Sequence, residues 1–267
     1  MSLRPGGSRD ALARPRRWVN AVIDFTERCL ERFVSMDGFD RAMALAAQAF
    51  TALFPLLIVV AAAAESGQGK SLGDQLIDRF GLDGAAADSV RRAFPSTGAI
   101  TDSVTALSAL ILVISALSFA RGLQRLYERA WLLERRGVRD TPWSLLWLLV
   151  VSVYAVAHVL LHGHIGQTQG LLSSIAGGIV IWTVTPYIII ARRLPWQLLF
   201  PQAVLTALGL TILRAGSAIY MPHAITSAAE QFGTIGLAFA LVSWLFAVAV
   251  VLTVTAAIGA VAMERRR

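Results

Sequence analysis

Between residues 141 and 191 the chain runs for 51 residues without one Asp, Glu, Lys or Arg. A helix needs about 20 apolar residues to cross the hydrocarbon of a bilayer, whereas soluble helices keep a polar face. The run therefore fits two membrane spans, and "HGHIGQTQG" (162–170) supplies the glycines and polar residues of a short connection between them. Three further runs, 42–64, 194–213 and 231–263, are equally free of charge. Charged residues make up 15% of the chain, against about 25% in soluble domains. The expected fold class is all-α: a polytopic membrane protein with six transmembrane helices, plus amphipathic helices in its N-terminal segment and loops.

The spans are expected at roughly 43–64, 102–120, 144–162, 170–190, 199–219 and 236–262. Basic residues orient them. The segments before the first span, after the second, after the fourth and after the sixth hold eight, six, two and three Lys or Arg. The intervening segments 65–101, 163–169 and 214–235 hold four, none and one. Nineteen basic residues thus collect on one side and five on the other, and the positive-inside rule places both termini in the cytoplasm. The net charge of +7, which in a soluble chain would suggest nucleic acid, is accounted for by this asymmetry. No cleavable signal peptide is expected, because the first 41 residues are polar and arginine-rich. The one cysteine, Cys29, excludes an intrachain disulfide.

Three units follow: a cytosolic segment 1–41, a six-helix domain 42–263, and a cytosolic tail 264–267. In the first, Trp18, Val22, Phe25, Cys29, Leu30 and Phe33 fall on one helical face, opposite Asn20, Asp24, Glu27, Arg28 and Glu31. Such a helix lies on the inner leaflet or packs against helix ends. Loop 65–101 lies outside and reads as short amphipathic helices broken at Gly81 and Gly84. The cytosolic stretch 121–140 turns Leu123, Leu126, Ala130 and Leu133 to one side. Arg121, Arg125, Arg129, Arg135 and Arg136 are its candidate contacts to anionic headgroups, at about 1 kcal/mol per basic residue near a membrane surface.

Signatures of catalysis are missing. No phosphate-binding loop, nucleophile elbow, zinc-protease helix or dinucleotide fingerprint occurs in the chain. His158, His162 and His164 have ligand-like spacing, but no Cys, Asp or Glu lies near them in sequence. No enzyme, cofactor or metal is expected. Transport leaves fainter marks: Gln48, Thr51 and Pro55 share a face of the first span, and Trp182 precedes Pro186 in the fourth. Polar or proline-broken membrane helices line substrate paths, although the same residues also serve helix packing. Arg214, at the outer end of the fifth span, is the sixth path candidate, because intramembrane charges carry function by default.

Several stretches resemble one family. "ALAAQAFTALFPLLIVV" (44–60), "RGLQRLYERAW" (121–131), "WTVTPYIIIARRLPWQLLFPQAVLTALGL" (182–210) and "IYMPHAITSAAEQFGTIGLAFALVSWLFAVAVVLTVTAAIGAVAM" (219–263) match the YihY/virulence factor BrkB family in order and spacing. The family's aromatic-Gly pair is Phe232–Gly233 here, its central Trp is Trp244, and its closing Gly-Ala is Gly259–Ala260. Gln202 stands where members often carry glycine, and Val261, Ala262 and Met263 replace the acid and amide that often follow.

The resemblance implies a six-helix inner-membrane protein. Members were long labelled ribonuclease BN, and others are linked to serum resistance and envelope lipid export. The expected function is movement of a lipid or small amphiphile. An envelope scaffold that recruits partners or anionic lipid is the alternative, and a membrane-bound ribonuclease a weaker one. Membrane lipids and an unidentified lipid or small-molecule substrate are the expected partners. Nucleic acid is not expected, and homo-oligomerisation is left open.

Overall fold

The computed structural model describes residues 9–65, 74, 77, 81–93, 102–162 and 167–264. Among these residues the regular structure is helical and no strand occurs. The helices are α1 (Arg9–Ser35), α2 (Gly38–Glu65), α3 (Gly84–Ala93), α4 (Asp102–Ala130), α5 (Thr141–His162), α6 (Gln167–Ile189), α7 (Trp196–Phe232) and α8 (Thr234–Met263), with a 3-10 turn at Gly137–Asp140 before α5. Among the described residues three helical stretches are long and apolar enough to cross a membrane: Leu110–Ala130, Trp196–Phe232 and Ile235–Met263. Thr141–Tyr154 and Ile175–Ile189 are shorter apolar stretches. The side chains of 54–65 in the first expected span, and residues 163–166 of the loop between the third and fourth, lie outside the described residues.

α7 and α8 form an antiparallel hairpin turned at Gly233, whose φ of 60° suits glycine. Small and hydroxylated residues let the two backbones approach. Gln202 packs on Gly259, and the Thr206 and Thr255 hydroxyls lie 2.8 Å apart. This is ordinary membrane-helix packing, in which small residues and hydroxyls replace the missing hydrophobic drive. α2 and α4 pack against each other and against α8, while α5 and α6 flank them. Trp147 of α5 donates to the Thr185 hydroxyl of α6 at 3.1 Å. The largest core cluster, containing Met36, Leu45, Leu126, Tyr127, Trp131, Ile189, Leu199 and Ala256, lies toward the end where α4 and α8 finish and α2 and α7 begin. A second cluster joins Leu82, Ala86 and Val90 around α3 to Met221, Ile225 and Leu237 of the hairpin. The glycine breaks expected in loop 65–101 are present, with Gly81 and Gly84 at φ 58° and 56°.

Two expectations about helix limits are corrected. The second span and the stretch after it are one helix, α4, which runs to Ala130. Like-charge pairs such as Arg121/Arg125 and Arg125/Arg129 oppose the helix by tenths of a kcal/mol each. Burial of Leu123, Leu126 and Tyr127 contributes about 1.5–3 kcal/mol for each large apolar side chain and prevails. The helix ends only where Leu132 adopts φ 50°, with the Leu133 N–H bonded to the Glu128 carbonyl at 2.7 Å. Likewise the expected loop 214–235 is helical as far as Phe232. Pro222 does not stop α7, because a proline removes one backbone bond and bends a helix supported by its neighbours.

Candidate functional site: a buried polar pole and an uncharged cleft

The pole is built on the turn between α6 and α7. Pro186 is buried one helical turn before it, and its carbonyl accepts the Ile190 N–H at 3.0 Å. Ala191 and Arg192 then adopt φ 55° and 59° in succession, a left-handed pair without glycine. Such residues cost about 1–3 kcal/mol each and persist only where the surroundings hold them. Two arginines hold them here. Arg192 donates to the Tyr187 hydroxyl at 3.0 Å and lies 5.5 Å over its ring. Arg193 donates to the carbonyls of Ile190 at 2.8 Å and Glu134 at 2.7 Å. Its Nη2 lies 2.5 Å from Glu128 Oε1 and 3.6 Å from Asp140 Oδ2. Gln124 completes the group, donating to Glu128 at 2.9 Å and to Asp140 at 3.2 Å.

Gln124, Glu128 and Asp140 are all buried. Glu128 is therefore withdrawn from the solvated face that carries Arg125 and Arg129. Its position follows from spacing: Ala120, Leu123, Gln124, Tyr127, Glu128 and Trp131 form one buried stripe, and two polar residues fall within it. Trp131 donates to Gln202 Oε1 at 3.0 Å, which explains a buried amide at that point of α7. Arg32 closes the pole, donating to the Ala130 carbonyl at the end of α4 at 2.8 Å and pairing with Glu264 after α8. A cation at that helix end satisfies an orphan carbonyl and complements the helix dipole.

Four of the five candidate headgroup contacts, Arg125, Arg129, Arg135 and Arg136, are exposed around this pole. Arg121 is partly buried and donates to the Thr141 hydroxyl at 3.2 Å. The six candidate path residues are not brought together. Gln48 is partly buried between α2 and α4, where its Oε1 lies against Gly122. Thr51 is exposed and its hydroxyl donates to the Ala47 carbonyl at 2.9 Å. Pro55 belongs to α2, but its side chain lies outside the described residues, as do those of His158, His162 and His164. Trp182 is partly buried against the main core, and Pro186 belongs to the pole. Arg214 is exposed on α7.

The cavity space lies elsewhere. A cleft of about 870 Å³ runs between the second half of α7 and the first half of α8. Leu213, Tyr220, Phe232, Phe239 and Trp244 supply its apolar wall, and Ser217, Ser227, Gln231 and Ser243 a few hydroxyl and amide groups. No Asp, Glu, Lys or Arg lines it, and His223 is its one histidine among the described residues. Its size and lining match small-molecule sites of about 300–1,000 Å³. Of the path candidates only Arg214 comes close, being the sequence neighbour of Leu213. Among the described residues no group of three or more His, Cys, Asp or Glu is placed to hold a metal.

A helical bundle with apolar helices of spanning length, a charged pole and an apolar cleft defines the class: a helical membrane protein. The sequence model of the family Virulence factor BrkB matches residues 29–267, and the chain belongs to that family. No curated protein and no solved structure matches the chain.

Proposed function

We propose that this protein crosses the inner membrane six times with both termini in the cytoplasm, and that it moves a lipid or small amphiphile along the α7–α8 cleft. The cleft is the observation that carries this reading. It is large, free of Asp, Glu, Lys and Arg, and bordered by exposed Ile212, Tyr220 and Phe239. An amphiphile can therefore enter sideways from hydrocarbon without desolvating a charge, a step that would be costly. Arg214, close to one end of the cleft, is suited to an anionic head.

Reconstituted vesicles test the reading. Ser227→Trp and Ser243→Trp fill the cleft from exposed positions, and each is expected to cut transfer of a fluorescent phospholipid at least severalfold while the protein stays folded. Wild-type vesicles that move no lipid faster than protein-free vesicles would sink the proposal.

One observation favours the scaffold alternative: Arg125, Arg129, Arg135 and Arg136 are exposed together around the pole. In that reading the cleft substitutions leave function intact, and charge reversal at these arginines abolishes partner or anionic-lipid binding.

A further inference from the structure

α1 has three sectors around its axis. Phe25, Cys29 and Arg32, with Met36 just past the helix, turn toward the bundle: Met36 is in the main core, and Arg32 reaches the ends of α4 and α8. Asn20, Asp24, Glu27, Glu31 and Ser35 are exposed on a polar sector. Between the two lies an apolar stripe that the described residues leave uncovered. Val19, Ile23, Leu30 and Val34 are 48–66% exposed, and at 3.6 residues per turn they fall within an arc of about 60°. The apolar face expected from the sequence is thus divided, half of it covered by the bundle and half facing outward.

Two observations identify what covers the outward half. First, the stripe continues onto the start of α2, where Phe39 and Met43 are each 61% exposed beside the uncharged run that opens at Ala42. Phe33 and Phe39 bridge the turn, with ring centroids 5.1 Å apart. The apolar surface of an expected span therefore passes onto α1 without interruption. Second, α1 packs on the end of α8 and only sparsely on α2. Phe25 lines a pocket with Val261 and Ala262, while Arg32 reaches Glu264. A helix held at the end of the bundle, with one outward side apolar and another polar, has the arrangement of an interfacial helix.

We infer that α1 lies in the membrane interface at the arginine-rich pole, with Val19, Ile23, Leu30 and Val34 among the acyl chains of that leaflet. Asp24, Glu27 and Glu31 face water, and Arg32 ties the helix to the ends of α4 and α8. The inference concerns a different surface from the cleft and stands without the transport reading.

The test uses full-length protein carrying Cys29→Ser, reconstituted in phosphatidylethanolamine–phosphatidylglycerol vesicles. Single nitroxides are placed through Ile23→Cys, Leu30→Cys and Val34→Cys on the stripe, and through Asn20→Cys, Glu27→Cys and Glu31→Cys on the polar sector. All six positions are exposed, so labelling leaves the packing intact. Collisions with oxygen, which concentrates in hydrocarbon, are compared with collisions with a water-confined nickel chelate. The oxygen-to-nickel ratio is expected to be severalfold higher on the stripe, oscillating with the helical period. Nickel access to the stripe equal to that at Glu27 would place α1 in water and overturn the inference. Exclusion of both reagents from the stripe would overturn it too, since protein would then be the cover, and spin–spin broadening would identify that protein as a second copy.

Discussion

The Arg193 guanidinium lies 2.5 Å from the Glu128 carboxylate, joining the end of α4 to the turn that starts α7 across 65 residues of chain. Both side chains are largely withdrawn from solvent, at 11% and 2% exposure. Removing one partner of a buried pair leaves an uncompensated charge, at a cost of about 3–5 kcal/mol. Arg193→Ala is expected to lower stability by that amount in denaturant titrations of the detergent-solubilised protein. Arg193→Met combined with Glu128→Leu should recover only part of the loss, because Asp140 still lacks its cation. A single variant as stable as wild type would show that the pair does not support the turn.

Gly259 and Gly178 make opposite predictions for the same substitution. A Cβ on Gly259 would lie 2.5 Å from Gln202 Cβ, a contact that only movement of α7 against α8 relieves. Gly259→Ala is therefore expected to cost about 1–3 kcal/mol, the usual range for overpacking. A Cβ on Gly178 meets Ala207 Cβ at 3.5 Å, an ordinary contact. There the helix gains about 0.5–1 kcal/mol from loss of glycine's freedom, and Gly178→Ala should keep or raise Tm. Equal effects at both sites would contradict the close α7–α8 approach.

Cys29 faces the bundle from α1, and burial pushes its thiol above the ordinary range, although Arg28 and Arg32 pull the other way. Because the protonated thiol is favoured in the fold, its contribution to stability is held below the ordinary thiol pKa and lost as pH rises through the folded value. Alkylation by iodoacetamide at pH 7 should be slower than for a free cysteine. Its half-maximal rate should come at a pH above the usual value of about 8.5. A thiol that reacts as fast as a free one would place α1 off the bundle.

The proposed topology is checked by reporter fusions. A phosphatase active only outside the cytoplasm should work when fused after Gly81. A fluorescent protein that matures only in the cytoplasm should glow after Arg136 and after Met263. An active phosphatase after Arg136 would reverse the orientation drawn from the arginines.

Helices written as long uncharged runs were legible in the sequence to within a few residues. The last span, expected at 236–262, is α8 from Thr234 to Met263, because nothing in that stretch competes with the helix. Limits failed where the helix outran its apolar run: the second span was expected to end at 120, where the arginines begin, and the fifth at 219. Tertiary burial overrode both. The pole was not legible, since Glu128 and Arg193 each read as one more loop charge. Only the buried stripe shared by Gln124 and Glu128 hinted otherwise, and pairing across 65 residues has no local signature. The cleft belongs to two helices at once, so no single helical pattern announces it.

With 37 residues, α7 is about 55 Å long at 1.5 Å per residue, nearly twice the bilayer hydrocarbon of about 30 Å. It is pinned near its start, where Gln202 is held by Trp131 and Gly259, and it walls the cleft near its finish. In mechanical terms it is a beam held at two places, because Met221 and Ile225 pack with Leu82, Ala86 and Leu237 beyond its middle. Pro222, which lacks the N–H that would bond the Ala218 carbonyl, puts a compliant joint beside that second support, within the last third of the helix. A bend of about 5° there shifts Phe232, ten residues or about 15 Å farther on, by only about 1 Å, so the two supports brace the wall of the cleft.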